Sequence, residues 1–481
     1  MISCDGFATK HVVVLGLGRS GLAAARALCR SGARVLVWDD NEASREAAKS
    51  EAFPVREPER INWAAMDALV ISPGIPHTYP APHPAARLAK DAGVPIIGDV
   101  ELLATAGVGA PMLAITGTNG KSTTTALLGH IMDEAGREVE VGGNLGPPIG
   151  DMAMMEHDGC YVLELSSYQL ELCPSARFKV AVLLNITPDH IDRHGDMNGY
   201  VHAKKNIFHN QGSGDVAIIG IDSPLMCDIY EEQKSRKGRK VVPISAEGVA
   251  AGGVYVSDGQ LIDDIDGQKV AVMDLSAAPN LPGTHNAQNI AAAYAAARMQ
   301  GVASAVVVDG IKSFPGLAHR QEVVAHFTNV TYVNDSKATN AEATAKALAC
   351  YDDIFWIIGG RAKEGGLSGL EGFYPRVRRA FLIGEAAEAF AAQLDGHVAY
   401  ERCGDLDTAT HAARRAALAA QLPSPTVLLS PACASFDQFK NFEHRGDVFR
   451  AIVETMRVDH PGGHMHLAKS ANSKTVEGTT S

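Results

Sequence analysis

Gly117-Thr118-Asn119-Gly120-Lys121-Ser122-Thr123 falls between the apolar run Pro111–Thr116 and a segment that reads as a helix from about Ser122, an order that leaves few folds open. A strand that passes through a glycine loop into a helix aims backbone N–H groups and the positive end of the helix dipole at one point, which suits phosphate. Lys121 then supplies charge to the β/γ oxygens, and the hydroxyl of Ser122 or Thr123 can ligate Mg²⁺. The loop departs from the Walker form G-x-x-x-x-G-K-[ST] in having only two residues between its glycines. Such a loop belongs to a parallel sheet flanked by helices, so the fold class expected is α/β.

A phosphate loop of this kind needs a metal-holding partner. Glu164 ends the apolar strand in Tyr161-Val162-Leu163-Glu164-Leu165-Ser166-Ser167, where a carboxylate is costly unless it is paired or metal-bound. Asp189-His190 and Asp192-Arg193 follow the next apolar run in the same way. Each alone fits a hydrogen-bonded structural role better than a functional one. Their shared place at strand carboxyl ends, where open α/β sheets bind ligands, favours a joint functional one.

A second glycine loop, Gly16-Leu17-Gly18-Arg19-Ser20-Gly21, also follows a strand and opens a helix, with Asp39 and Asp40 about twenty residues on. On these residues alone three readings stay open: a nicotinamide-dinucleotide site, a packing turn without ligand, or a site for another diphosphate such as the UDP of a sugar nucleotide.

The chain divides into three blocks and a tail. A Rossmann-like domain over residues 1–108 carries strands at His11–Leu15, Arg34–Trp38, Ala68–Ser72 and Pro95–Gly98. A central P-loop-type ATPase domain over 109–316 adds strands at Pro111–Thr116, Cys160–Leu165, Val180–Asn185 and Val216–Ile221. Within it, Asp258-Gly259 and Asp266-Gly267 predict tight hairpins and an antiparallel patch, and His285–Gln300 predicts an Ala-rich helix closed by Gly301. A second Rossmann-like domain over 317–459 carries strands at Thr331–Asn334, Ile354–Ile358, Ala380–Ile383 and Val427–Ser430, and residues 460–481 are expected to form a disordered tail. Articulation is expected near 108–111 and 314–318, the second favoured by Pro315-Gly316.

Charge and cysteine usage narrow the setting. A net charge of -12 argues against nucleic acid as a partner, though an acidic whole can still carry a basic pocket. Eight scattered cysteines without a C-x-x-C pair suit reduced thiols. No apolar run reaches a bilayer-spanning length, and the cytoplasm is the expected location.

Taken together, Gly117–Thr123, Glu164-Leu165-Ser166-Ser167, Asn185-Ile186-Thr187-Pro188-Asp189-His190, Gly283-Thr284-His285-Asn286 and Asn334-Asp335-Ser336-Lys337 resemble the Mur ligase family. These are the ATP-dependent amide ligases of peptidoglycan synthesis, related to folylpolyglutamate synthetases. Glu164-Leu-Ser-Ser-Tyr-Gln-Leu-Glu171, Asp335-Ser-Lys-Ala-Thr-Asn340 and Ser430-Pro-Ala-Cys-Ala-Ser-Phe-Asp-Gln-Phe-Lys-Asn-Phe442 are most similar to the members that add D-glutamate to UDP-N-acetylmuramoyl-L-alanine. The Asp-Asn-Pro-Arg segment of the diaminopimelate- or lysine-adding members is absent.

The resemblance implies roles residue by residue. Arg19, Ser20, Asp39, Asn144 and Ser166 would contact the UDP-linked substrate. Gly117, Thr118, Asn119, Gly120, Lys121, Ser122 and Thr123 would hold ATP, with Asn286, His319, Arg320, Asp335 and Lys337 positioning the nucleotide. Lys121, Glu164, His190 and Lys204 would be the catalytic set, and Ser122, Glu164, His190 and a carbamylated Lys204 would hold Mg²⁺ at two sites. Lys204 matches the carbamylated lysine through Tyr200-Val-His-Ala-Lys204-Lys205-Asn-Ile-Phe208, in which Lys205 is its immediate neighbour. Thr339, Lys363, Ser435 and Phe442 would form the D-glutamate pocket. The implied reaction is attack of the substrate carboxylate on the γ-phosphate, then displacement of phosphate by the amino-acid nitrogen. A monomer is expected. A ligase for another amino acid, a folate polyglutamylating enzyme, a nicotinamide-dependent oxidoreductase and a regulatory ATP-binding protein are the alternatives.

Overall fold

The computed structural model describes residues 1–107, 109–236, 238–363 and 365–458. Residue 108, residue 459 and the expected tail at 460–481 lie outside the described residues. The chain separates into two compact units, one of residues 1–278 with 284–314 and the other of 279–283 with the chain from 315. Three sheets run through them.

The first sheet comprises β1 (His11–Leu15), β2 (Arg34–Trp38), β3 (Ala68–Ile71) and β4 (Ile96–Ile97), all parallel in the order β2-β1-β3-β4. The helix Arg19–Arg30 that follows β1 lies close to its neighbours because its buried face is Ala23, Ala24, Ala25, Ala27 and Leu28. Small side chains there let backbones approach. A Cβ on Gly150 would come within 2.5 Å of the Ala23 backbone, so the turn Ile149–Asp151 of the next block sits directly on this helix.

The second sheet has nine strands: β5 (Met112–Thr116), β6 (Val139–Gly143), β7 (Cys160–Glu164), β8 (Val180–Leu183), β9 (Val216–Gly220), β10 (Lys240–Ser245), β11 (Val254–Ser257), β12 (Gln260–Asp263) and β13 (Val270–Asp274). Its order is β13-β12-β11-β10-β9-β8-β5-β7-β6, parallel from β6 to β11 and antiparallel across β11-β12-β13. The antiparallel patch is therefore present. Asp258 and Gly259 take φ of 50° and 74° and close a two-residue hairpin. At Asp266-Gly267 only Gly267 has positive φ, and the connection is a longer loop rather than a tight turn. The helix Thr284–Met299 ends at Gly301, where Gly301 N–H donates to Arg298 O at 3.0 Å and Val302 N–H to Ala297 O at 3.1 Å, a Schellman cap.

One apolar cluster runs from Val12, Val14 and Leu28 through Val100 and Leu103 to Ile149, Leu163 and Leu183, so the first two sheets share a core. The helix Asp99–Thr105 is buried between them, with Glu101 bonded to the Ser175 hydroxyl and, at 3.0 Å, to the Ser175 N–H. The articulation expected near 108–111 thus falls inside one compact unit, whereas the expected one near 314–318 meets the division between Phe314 and Pro315.

The third sheet belongs to the other unit and comprises β14 (Glu322–Phe327), β15 (Val330–Asn334), β16 (Ile354–Gly359), β17 (Val377–Ile383), β18 (Tyr400–Gly404) and β19 (Thr426–Leu429). The order is β14-β15-β19-β16-β17-β18, with β14 antiparallel to an otherwise parallel set.

Candidate functional site

β5 lies between β7 and β8, so the loops at their carboxyl ends meet: Gly117–Thr123 after β5, residues 165–171 after β7 and 184–195 after β8. The phosphate loop is tied at two amides. Thr118 N–H donates to Asn185 O and Asn119 N–H to Asn185 Oδ1, both at 2.9 Å. Gly120 turns at φ 84°, and a Cβ there would stand 2.2 Å from Asn289 Oδ1, which also accepts from the Thr124 hydroxyl at 3.2 Å. Asn289 in turn donates to Asn286 Oδ1 at 2.9 Å, which brings Asn286 beside the loop. Lys121 Nζ donates to the carbonyls of Gly117 and Thr118 at 2.9 and 2.8 Å, while Ser122 and Thr123 are buried in the first helical turn.

Glu164 is 2% exposed; its Oε1 accepts from Asn144 Nδ2 at 2.7 Å, and its Oε2 is buried with no hydrogen-bond partner among the described residues. An unpartnered buried carboxylate oxygen at a strand end is what a divalent cation would satisfy. His190 stands in a left-handed turn, φ 52°, with its N–H on Asp189 Oδ1 at 2.9 Å and its ring half exposed.

Lys204 lies in the last turn of the helix Met197–Lys205 and is 1% exposed, with Nζ donating to Gly117 O at 2.8 Å and lying over the Tyr200 ring. Burial, with Lys121 nearby, holds its amine down to about 7, against the pull of Asp189 and Glu164. Lys205 points elsewhere and is ion-paired with Glu232.

A cavity of about 450 Å³ opens on Lys121, Asn144, Ser166, His190 and Lys204, and Arg19 and Ser20 of the first glycine loop line it as well. The two glycine loops therefore face one space. Asp39 closes the first loop from behind, accepting from Leu17 N–H at 2.6 Å and Asn41 N–H at 2.8 Å. Ser166 caps the short helix Ser167–Leu170 through a reciprocal box with Gln169.

The remaining expected residues lie in the other unit, at the ends of β15, β19 and β16. His319 is buried in a left-handed turn, φ 63°, and burial holds its imidazole below the usual range. Its N–H donates to Glu322 Oε2 at 2.9 Å, and its carbonyl accepts from Lys337 N–H at 2.9 Å. Arg320 follows, its Nε buried and without a hydrogen-bond partner among the described residues. Asp335 accepts from the Ser430 hydroxyl at 2.7 Å and from Gln321 N–H at 3.1 Å; burial pushes its carboxyl up to about 7. Lys337 Nζ lies 5.6 Å from the centre of the Phe442 ring, and Thr339 N–H donates to Lys337 O at 2.9 Å. Arg361 and Ala434 exchange backbone hydrogen bonds at 2.9 and 3.0 Å, which brings the loop carrying Lys363 beside buried Ser435.

Sequence reasoning missed Arg445 and a set around Glu171. The Arg445 guanidinium is wholly buried under this second cluster and donates to Ser336 Oγ, Ser336 O and Cys433 O at 2.9, 2.8 and 3.1 Å. Around Glu171, His194 Nδ1 lies 3.2 Å from Oε1 and Arg193 Nη2 3.2 Å from Oε2. A lone arginine after a motif, or partners some twenty residues apart, leaves no local pattern to read.

Known proteins share this outline. Residues 115–297 match the Mur ligase middle domain, and 10–98 match the Mur ligase MurD-like, N-terminal domain. The UDP-N-acetylmuramoylalanine–D-glutamate ligase of Paramagnetospirillum magneticum is 52% identical over 94% of this chain and 98% of its own. The enzyme of the same name from Rhodospirillum rubrum is 49% identical over 95% and 98%. Among solved structures, UDP-N-acetylmuramate-alanine ligase MurC of Thermotoga maritima shares the fold at TM-score 0.54 and 17% identity, over 94% of this chain and 100% of that one.

Proposed function

The chain belongs to the Mur ligase family, and from that premise we propose the reaction its site supports best: ATP-dependent addition of D-glutamate to UDP-N-acetylmuramoyl-L-alanine, through an acyl phosphate, in peptidoglycan precursor synthesis. The observation that carries it is the one cavity lined both by Lys121 and Lys204 and by Arg19 and Ser20 of the first glycine loop. That arrangement suits a substrate with a diphosphate at one end and a carboxylate to be activated at the other.

A carboxylate rejects an amine in neutral water because oxide is a poor leaving group. Its oxygen attacks the γ-phosphorus, ADP leaves, and the D-glutamate nitrogen then displaces phosphate from the acyl carbon and loses a proton. The chain's own work is positioning and charge stabilisation by Lys121 and the loop amides. Asn286, His319, Arg320, Asp335 and Lys337 position the nucleotide in this reading. Thr339, Ser435 and Phe442 shape the amino-acid pocket, and Lys363 pairs with the side-chain carboxylate. Arg19, Ser20, Asp39, Asn144 and Ser166 serve the UDP-linked substrate.

The donor set around Glu164 fits Mg²⁺: Ser122, Glu164 and His190 would hold it, at two sites with Lys204 as a carbamate. Bound there, the cation withdraws charge from phosphoryl oxygens. Lys204 suits carbamate formation because its buried amine is held down to about 7, which leaves a far larger neutral fraction than an ordinary lysine has. Its nitrogen attacks CO₂ and releases one proton. Lys205, paired with Glu232, is the poorer candidate. We also propose functional domains at 1–108, 109–316 and 317–459, a monomeric state and a cytoplasmic location; among the described residues no helix is long and apolar enough to cross a membrane.

The test monitors phosphate release from ATP with UDP-N-acetylmuramoyl-L-alanine and D-Glu, L-Glu, L-Ala, L-Lys or diaminopimelate in turn, with and without Mg²⁺. Release that needs both the sugar nucleotide and D-Glu, with ligated product confirmed by mass, is the expected result. Release with another amino acid would keep the ligase and overturn the assigned pocket. No release with any pair would overturn the reaction.

A further inference from the structure

Ser167 lines the same cavity, and the ligase reaction proposed for that cavity leaves it without a task; a task for it rests on that reaction. Its Oγ lies 2.9 Å from His194 Nε2, the opposite nitrogen of that ring lies 3.2 Å from Glu171 Oε1, and Arg193 Nη2 faces the other Glu171 oxygen at 3.2 Å. The direction of this chain is fixed by what each group is able to do. Arginine only donates, and the carboxylate it pairs with only accepts, so His194 carries its hydrogen on Nδ1. The imidazole is neutral: its side chain is 1% exposed, and the one carboxylate it faces is already paired with Arg193. Nε2 is therefore an acceptor, and the Ser167 hydroxyl must spend its only hydrogen on it.

That leaves both lone pairs of Ser167 Oγ, on a buried residue that lines the cavity. A ligand hydroxyl would read this polarity poorly, because it donates and accepts with equal ease. An amide N–H only donates. We propose that Ser167 is a specificity-determining residue whose hydroxyl, turned away by His194, accepts a hydrogen bond from an amide N–H of the sugar-nucleotide substrate. Outside the uracil ring, UDP-N-acetylmuramoyl-L-alanine offers two such groups, the alanyl amide beside the reacting carboxylate and the acetamido group. Glu171, His194 and Arg193 are positioning residues in this arrangement; they touch no substrate. The order serine, histidine, carboxylate also occurs where a serine is acylated. Here the amine completes the reaction without an acyl-serine, so the chain's use is orientation.

The experiment pairs Ser167→Ala with two substrate analogues, one with an ester oxygen in place of the alanyl N–H, the other with acetoxy in place of acetamido. The wild-type KM should rise about three- to tenfold for one analogue, the worth of a single neutral hydrogen bond. Ser167→Ala should raise the KM for the parent substrate by the same factor, with kcat falling less, and should no longer distinguish the parent from that analogue. Which analogue shows the coupling identifies the amide. Ser167→Cys, of similar size and a weak acceptor, should behave alike and covers the case in which the alanine variant folds poorly. Variants that lose equally with all three substrates, while the wild type still turns over the parent, would overturn the assignment. A wild type that ignores the parent substrate would instead overturn the ligase reaction itself.

Discussion

Gly16–Gly21 and Gly117–Thr123 both leave the carboxyl end of a parallel strand and enter a helix, yet their tethers differ in charge. The first loop is held from behind by the Asp39 carboxylate on Leu17 N–H, the second by the neutral Asn185 amide on Asn119 N–H. The first loop thus faces its ligand with part of its amide field already answered by an anion. The second has a neutral tether, Lys121 folded over its own carbonyls and Lys204 behind Gly117 O at 2.8 Å. A loop that must meet a triphosphate keeps its positive field unspent, whereas one that meets a diphosphate in a larger ligand can use an anion for rigidity. The glycine pattern alone conveys the turn; under the proposed function the tether separates the two ligands.

The largest break in this comparison should come from Lys121→Ala. With the loop cation gone, phosphate release should fall about 10³- to 10⁵-fold while the melting temperature stays within a few degrees. No substitution in the first loop should approach that. A loss below tenfold would mean that the second loop's charge is not what serves catalysis.

Next comes the buried cation behind the loop. Lys204 sheds its proton near 7 in the folded chain against 10.5 when unfolded, so between those values the unfolded chain binds more protons and stability rises with pH. Below about 7 the full burial penalty is present. Lys204→Met, without CO₂, should therefore exceed the wild type by a few kcal/mol at pH 6–7, with the gap closing toward pH 10. Denaturant melts across that range supply the measurement, and a gap that is flat with pH would remove Lys204 as the titrating group.

Much of this architecture was legible because buried parallel strands read as continuous apolar runs: β1 and β2 begin and end where the sequence puts them, and β5, β7, β8 and β9 differ by a residue or two. Of the strands that escaped, β6, β14 and β18 are sheet edges, while β10 lies inside the second sheet. Covered on fewer sides, the edges tolerate Glu140, Glu322 and Arg402 and lose the apolar signature. Motif residues were legible because phosphate chemistry fixes their type and spacing. The Ser167–His194–Glu171 chain was not, since its partners meet only after β7 and β8 are set side by side around β5. The choice between Lys204 and Lys205 also needed three dimensions: one turns into the sheet ends, the other to Glu232.

A third prediction concerns the glycines that shape the first loop. A Cβ on Gly21 would stand 1.8 Å from Gly16 O, whereas one on Gly18 would meet nothing within 4 Å. Gly21→Ala should cost about 2–3 kcal/mol in denaturant unfolding and Gly18→Ala less than about 0.5, so equal costs would refute the close approach of helix and loop.

The smallest expected effect bears most directly on the tether. Asp39→Asn keeps the shape of the side chain but leaves it one acceptor for two backbone donors, since its new amide would point a hydrogen at either Leu17 N–H or Asn41 N–H. Losing one charge-assisted hydrogen bond at a half-buried site should lower stability by about 1–2 kcal/mol. If Asp39 chiefly holds the loop, that loss appears in the melt, and the KM for the sugar nucleotide rises only as the loop loosens. If Asp39 chiefly meets the ligand, the melt is unmoved and KM alone rises. The second outcome would overturn the contrast between an anionic and a neutral tether, because the carboxylate would then be free to leave Leu17 when substrate arrives.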